Sequence, residues 1–289
     1  MERFYLGSPE PSWLWRSAYL PLFVSHRRLA RLVKLRRANV PWALDSGGFS
    51  EIGMYGEWRT TPREYVAAVA RYDREIGVMG WAALQDWMCE PQMLAKTGLT
   101  VAEHQARTVD NFLQLRTLWP EYSDDSCPFE PSLQGDPESP EDYLRCIERY
   151  TAAGVDLRDP EQVDMVAIGS VCRQENTDLI ERIVSAIVDA LPDVPLHGFG
   201  VKSGGLRRVG HLLTSADSQA WSRAARHEPE RRTQRCTHPG ACSWCPHFAL
   251  EWYQRALHAA DLSHVQWQGH FPEHGEPDWR TRWRTRAAS

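Results

Sequence analysis

Apolar positions along this chain come in short runs, and the runs stop in a similar way. "FYLG", "PLFVS", "WALDS", "WAALQD", "EPSLQG", "MVAIGS", "PLHGFG" and "TSADS" each have the length and composition of a buried strand. Helical periods separate most of them. "TTPREYVAAVARYDREIG" opens on a Thr61 cap with Pro62 in the first turn. "SPEDYLRCIERYTAAG" has Ser139 as cap, Pro140 at the first helical position, Glu141 and Asp142 in the first turn and Gly154 beyond its end. "NTDLIERIVSAIVDALP" is a third strong helix. Strands alternating with helices predict βαβ units and a parallel sheet, and eight such strands predict a (β/α)8 TIM barrel. A doubly wound sheet would carry a G-x-G-x-x-G loop after an early strand, and the chain has none.

The strand ends carry the chemistry. They fall at Asp45, at Asp86, at Gln134-Gly135, at Gly169-Ser170, at "HGFG" and at Asp217. In a barrel these ends share one face, and that face holds the active site. A carboxylate at a strand end is individually often a turn or a helix cap. Three of them together with an amide predict one shared site. The stretch "PWALDSGGFS" keeps two readings: a tight turn, with glycine at positive φ and Asp45 bonding its own backbone, or a ligand site in which Phe49 stacks on a planar group and Asp45 handles a proton.

Length and composition fit this picture. At 289 residues and 42% hydrophobic, the chain is long enough for a single large barrel core. No apolar run approaches a membrane span, and the start "MERFYLGSPEP" has no apolar signal region, so a soluble, non-secreted protein is expected. Seven cysteines, an odd number, read as reduced thiols in a cytoplasmic setting.

The net charge of −5 argues against a nucleic-acid partner, but the distribution argues for one. "SHRRLARLVKLRR", "RRVGHLL…SRAARHEPERRTQR" and the tail "WRTRWRTR" are basic and in part interleaved with tryptophan. They are either phosphate-holding surfaces or solvated helix faces and a frayed end. The run "CTHPGACSWC" brings Cys236, His238, Cys242 and Cys245 within ten residues. Those donors suit a closed, structural zinc site, with a redox pair or free thiols as the alternatives. The expected organisation is a barrel over 1–225, a zinc-binding subdomain with a closing helix over 226–275 and a basic flexible tail over 276–289.

Together these residues make the chain resemble the tRNA-guanine transglycosylase superfamily and its DNA-modifying relatives, over roughly residues 40 to 250. The family carries D-S-G-G-(F/Y), here Asp45 to Phe49. It then carries an aspartate (Asp86), a Gln-Gly pair (Gln134-Gly135), a glycine-bearing strand end ("AIGS"), an H-x-x-G-like segment ("LHGFG"), a last-strand aspartate (Asp217) and a zinc site.

The resemblance implies roles. Asp217 would attack C1′ of the target nucleotide and Asp45 would be the general acid/base. Asp86, Gln134, Gly135, Gly169 and Ser170 would read the purine edge, with Ser46, Gly48 and Gly200 lining the site. Phe49 and Phe199 would sandwich the ring, and the glycines at 47 and 48 would make room for it. The family draws its last zinc ligand from further on, which leaves His258, His264 and His270 open beside His238.

Departures from the family pattern are Ser50 after the aromatic, Glu175 displaced from the expected glutamate position, and "SADSQAW" around the nucleophile. Cys89, Cys127, Cys146 and Cys172 are read as structural. The expected activity is base exchange, guanine for a free 7-deazaguanine, with DNA favoured over tRNA because no RNA-binding domain is appended. A tRNA enzyme, a non-catalytic partner subunit and an unrelated nucleoside hydrolase are the competing readings. A homodimer or a separate partner protein is left open.

Overall fold

In the computed structural model, the described residues are 1–16, 20–171, 174, 176–227 and 242–262. The strands are β1 (Arg3–Ser8), β2 (Leu22–Ser25), β3 (Trp42–Asp45), β4 (Met79–Ala83), β5 (Phe129–Glu130), β6 (Ser132–Leu133), β7 (Val166–Ile168), β8 (Leu196–Gly198) and β9 (Ser215–Ser218). Every pairing is parallel, in the order β5-β4-β3-β2-β1-β9-β8-β7-β6.

The two ends of that order, β5 and β6, are halves of one expected strand, divided at Pro131. Proline has no N–H to give to a ladder. Its carbonyl still accepts from Ala167 N–H on the β7 side, while Pro128 O accepts from Ala82 N–H on the β4 side. The nine segments therefore make a nearly closed α/β barrel with eight wall positions, as the alternating pattern predicts.

Strand alternation sorts the side chains. Tyr5, Phe23, Ala43, Trp81, Ala83 and Met165 fill the barrel interior. Their neighbours in sequence, such as Phe4, Leu6, Leu22, Trp42, Leu44 and Val166, face the helical ring and form the larger core.

Two of the three expected helices are capped as their sequences imply. α4 (Pro62–Glu75) starts with a reciprocal capping box between Thr61 and Glu64. α8 (Thr177–Ala190) is capped by the Asn176 side chain. α7 (Pro140–Ala152) departs from expectation: Ser139 makes no side-chain cap, because its hydroxyl donates to Glu141 instead.

The longest helix, α6 (Val101–Leu118), is one the apolar pattern hides. Its buried face alternates His104, Gln105 and Thr108 with Val109, Phe112 and Leu115. A mixed face of that kind weakens the 3.6-residue apolar signal. The closing helix α11 (Pro246–Ala259) packs Phe248, Ala249 and Tyr253 into the same core as the barrel helices, and the Tyr253 hydroxyl donates to Phe4 O at 3.0 Å. Among the described residues, no helix is long and apolar enough to cross a membrane.

Candidate active site at the C-terminal mouth of the barrel

Asp45 ends β3 and stands in register with Ser25, the last residue of β2. Its Oδ1 accepts the Gly47 N–H at 2.9 Å, and Gly47 adopts φ 80° to begin the helix α3 (Gly48–Tyr55). The turn reading of "DSGGF" is thus met locally: Gly47 is in the left-handed conformation that glycine tolerates best.

The room that glycine leaves is not open, contrary to the expectation of space for a base. A Cβ on Gly47 would lie 2.7 Å from Arg27 Cγ, and one on Gly48 would lie 2.6 Å from the Trp58 ring. Ser46 is buried and its Oγ receives the Gly48 N–H at 3.4 Å. Phe49 packs beside Trp87, Met88 and Met93, whereas Phe199 packs on the barrel-interior cluster. The two expected ring partners thus belong to different clusters at the mouth.

Burial pushes the Asp45 carboxyl above the ordinary aspartate range, although the residue as a whole keeps some solvent contact. The Gly47 N–H and the Ser25 hydroxyl oppose the rise, and nearby Asp217 adds to it. Asp86 is pushed up to about 7, first by burial and then by Glu90 and Asp45. Asp45 thus feels the charge of Asp217, and Asp86 feels that of Asp45.

A polar chain runs outward from Asp86. Gln134 Nε2 donates to Asp86 Oδ2 at 2.5 Å and to Ser132 Oγ at 3.1 Å. Ser170 Oγ donates to Gln134 Oε1 at 2.6 Å and accepts the Cys89 N–H at 2.7 Å. Ser170 holds φ 57°, unusual for a non-glycine residue. A Cβ on Gly169 would run into the Gln134 amide, which would have to swing aside. The Gly169 carbonyl is already taken by the Tyr143 hydroxyl, whose ring packs against Gly135.

The polar face of α6 holds these loops. His104 Nδ1 meets Met88 O at 2.7 Å, Thr108 Oγ1 accepts Trp87 N–H, Gln105 Nε2 donates to Gln134 O at 2.7 Å, and Asn111 donates to Gln85 O. Helix α6 is thus a scaffold for the two strand ends that carry Asp86 and Gln134.

Asp217 lies in β9, 7% exposed. Its Oδ1 accepts the Gly200 N–H at 2.9 Å, so Gly200 serves the aspartate through its backbone. The same oxygen is 3.4 Å from His197 Nε2, a long contact, and that nitrogen has no hydrogen-bond partner. The imidazole is fully buried, edge-on to Trp81 and Phe199 at centroid distances of 4.7 and 5.0 Å. Its Nδ1 is 2.8 Å from Ser215 Oγ. Burial lowers its pKa against the pull of Asp217, which keeps the ring neutral.

His197 and Glu90 are site residues that sequence reasoning did not select. Alternation with Phe199 was a signal for His197, since residues two apart on a strand face the same way. Glu90 precedes Pro91 at the start of helix α5 (Pro91–Thr97) and reads as a cap. It makes no side-chain cap bond, is buried, and comes within 3.4 Å of Ser170 Oγ.

A family model described as DpdA, DeoxyPurine in DNA protein A, matches residues 1–274. The chain belongs to the DpdA family. DpdA proteins are tRNA-guanine transglycosylase-like enzymes that insert 7-deazaguanine into DNA, which supports the DNA branch of the resemblance. No curated protein matches the chain.

For zinc, two of the expected donors of this DpdA chain are described. Cys242 and Cys245 are buried on one turn, closed by Cys245 N–H to Cys242 O at 3.0 Å, and neither is in a disulfide. This turn fits two thiolates of a tetrahedral site. Cys236 and His238 lie outside the described residues, as do His264, His270, Cys172 and Glu175; His258 is exposed on α11. Among the described residues, no group of three metal-binding side chains is assembled. Burial pushes the Cys127 and Cys146 thiols up to about 11 and about 12, and Cys89 higher still, so these three stay protonated.

Proposed function

We propose that this chain exchanges guanine in DNA for a free 7-deazaguanine base through a covalent aspartyl-glycosyl intermediate. The observation that carries the reading is the contrast between two neighbouring carboxyl groups. Asp217 Oδ1 accepts the Gly200 N–H with the His197 ring facing it at 3.4 Å, while Asp45 sits where burial favours its protonated form. That is the division of labour a retaining glycosyl transfer requires.

Asp217 attacks C1′ of an extruded deoxyguanosine as the C1′–N9 bond breaks, and Asp45 gives its proton to the departing guanine. The incoming base then yields its N9 proton to Asp45 and takes C1′ from the aspartyl ester, which restores both side chains. Asp86, through its oxygens, and Gln134, through its amide, would read the purine edge. The bond between them must open or rotate to admit a base. Extrusion of the nucleotide is needed because its C1′–N9 bond is not accessible within a stacked duplex.

Cys242 and Cys245, with Cys236 and His238 or a later histidine, would hold a structural zinc. The metal would brace the Cys242–Cys245 turn that leads into α11.

Denaturing electrophoresis of enzyme mixed with labelled guanine-containing duplex tests the reading. Wild type should give a heat-stable protein–DNA adduct that free 7-deazaguanine discharges. Asp217→Ala should give none. Release of guanine without an adduct, or label entering tRNA and not DNA, would defeat it.

A further inference from the structure

The loop from β2 to β3 crosses from the mouth of the barrel to its opposite end. Between Glu10 and Asp45 the chain has no acidic residue, and this loop carries Arg27, Arg28, Arg31, Lys34, Arg36 and Arg37. All but Arg27 are exposed. Among the described residues none of the six meets a carboxylate. Elsewhere on the surface Arg59, Arg63, Arg145, Arg158, Arg208 and Arg255 each do.

The loop is also fixed in place. Arg71 donates to Val33 O at 2.8 Å, Ala38 N–H to Ile76 O at 2.9 Å, and Asn39 N–H to Leu14 O at 2.7 Å. Backbone groups are thus spent inward and the cations stand outward.

This row begins at the proposed chemistry. Ser25 is in register with Asp45, and the Arg27 side chain covers Gly47. Next along, the Arg28 guanidinium stands 5.7 Å from the ring centre of Trp244. Trp244 lies between Cys242 and Cys245, and it is 51% exposed although its two cysteine neighbours are buried. An exposed indole against an unpaired arginine, beside a mouth that must receive an extruded nucleotide, has the composition of a strand-binding surface.

We infer that this loop is a phosphate track for the DNA strand that carries the target guanosine. Arg28 and Arg31 hold the phosphates nearest the mouth and Lys34 the next, while Trp244 stacks on a base uncovered when its neighbour is extruded. The inference rests on the base-exchange reading for its choice of partner.

Fluorescence anisotropy of a labelled guanine-containing duplex across a potassium chloride series tests it. The variant Arg28→Ala/Arg31→Ala/Lys34→Ala should lower the slope of log affinity against log salt by about 2 to 3, since each phosphate contact contributes about 0.9. The control Arg63→Ala/Arg158→Ala/Arg208→Ala removes the same charge elsewhere and should leave the slope nearly unchanged. Trp244→Ala should weaken binding about tenfold at constant slope, with Trp244→Phe recovering most of it.

A wild-type slope in the first triple variant, or an equal drop in the control, overturns the track. Unaltered affinity in Trp244→Ala overturns the stacking. Tighter binding to an RNA hairpin than to the duplex overturns DNA as the partner. The covalent-adduct assay keeps the two readings apart: adduct with an unresponsive slope removes the track alone, and a responsive slope without adduct removes the chemistry alone.

Discussion

His197 Nε2 lies 3.4 Å from Asp217 Oδ1, inside a box of aromatic rings that offers it no other polar partner. A neutral imidazole facing a carboxyl group holds it best with its proton on Nε2, and Ser215 Oγ at Nδ1 can then act as the donor on the other side. His197 is in this sense a positioning residue for the proposed nucleophile.

Replacing His197 with Phe should therefore lower kcat for exchange by about tenfold to a hundredfold, the worth of one hydrogen bond to a charged group. The KM for the free base should stay near its wild-type value, because Asp86 and Gln134 are untouched. The melting temperature should change little, since the Nδ1 bond to Ser215 is lost together with the unpartnered Nε2. His197→Gln, which restores a donor, should recover part of kcat. Steady-state kinetics and thermal melts on the three proteins check this.

Asp86 gives a pH prediction with a defined sign. Its folded pKa, about 7, is raised above the ordinary aspartate value, so folding favours its protonated form. That contribution to stability is complete below the unfolded pKa and is lost as pH rises through about 7. Asp86→Asn should accordingly be more stable than wild type at pH 8 to 9 and little different near pH 4. Base binding should run the opposite way in wild type and strengthen as Asp86 ionises. Glu90→Gln should shift that binding midpoint down, because Glu90 is the largest charge acting on Asp86.

Gly169 is a steric prediction. Alanine there would place Cβ against the Gln134 amide and drive it away from Asp86 and Ser170. Gly169→Ala should cost about 1–3 kcal/mol in stability, the range for overpacking a filled core. It should raise the KM for the base at least about tenfold, the equivalent of roughly 1.4 kcal/mol. Gly53→Ala, where a new Cβ would meet nothing closer than Met93 Cε at 3.5 Å, is the control for the same substitution without a clash.

The cysteine turn makes a metal prediction. Purified protein should contain about one zinc per chain by elemental analysis, and Cys242→Ser or Cys245→Ser should lose it. Chelation should lower the melting temperature while far-ultraviolet circular dichroism keeps the helical signal of the barrel. Full metal content in both serine variants would exclude these two thiols as ligands.

The barrel was legible because the wall strands are short apolar runs, several of them reaching a polar residue at or near their C-terminal end, such as Asp45 or Asp217. The placement of three aspartates at the same end of the wall strands followed from topology and needed no knowledge of side-chain contacts. Other parts were hidden for particular reasons. Pro131 splits the fifth strand, and an apolar count does not register a missing N–H. Helix α6 buries His104, Gln105 and Thr108 to serve the backbone of other loops, so it looks irregular to any amphipathicity argument. Glu90 wears the appearance of a helix cap. The glycines of "DSGGF" imply space, but which atoms fill it, Arg27 and Trp58, depends on packing between segments distant in sequence.

The division at Pro131 has one more effect. β5 bonds only to β4 and β6 only to β7, so at that point the cylinder is fastened by covalent continuity and by what lies above it. Asp86 follows β4 and Gln134 follows β6, which makes their side-chain bond a rivet across the gap. A base that inserts between those two groups replaces the rivet with itself. Occupancy of the pocket and closure of the cylinder then become one event, and amide exchange in β5 and β6 should slow when the base is present.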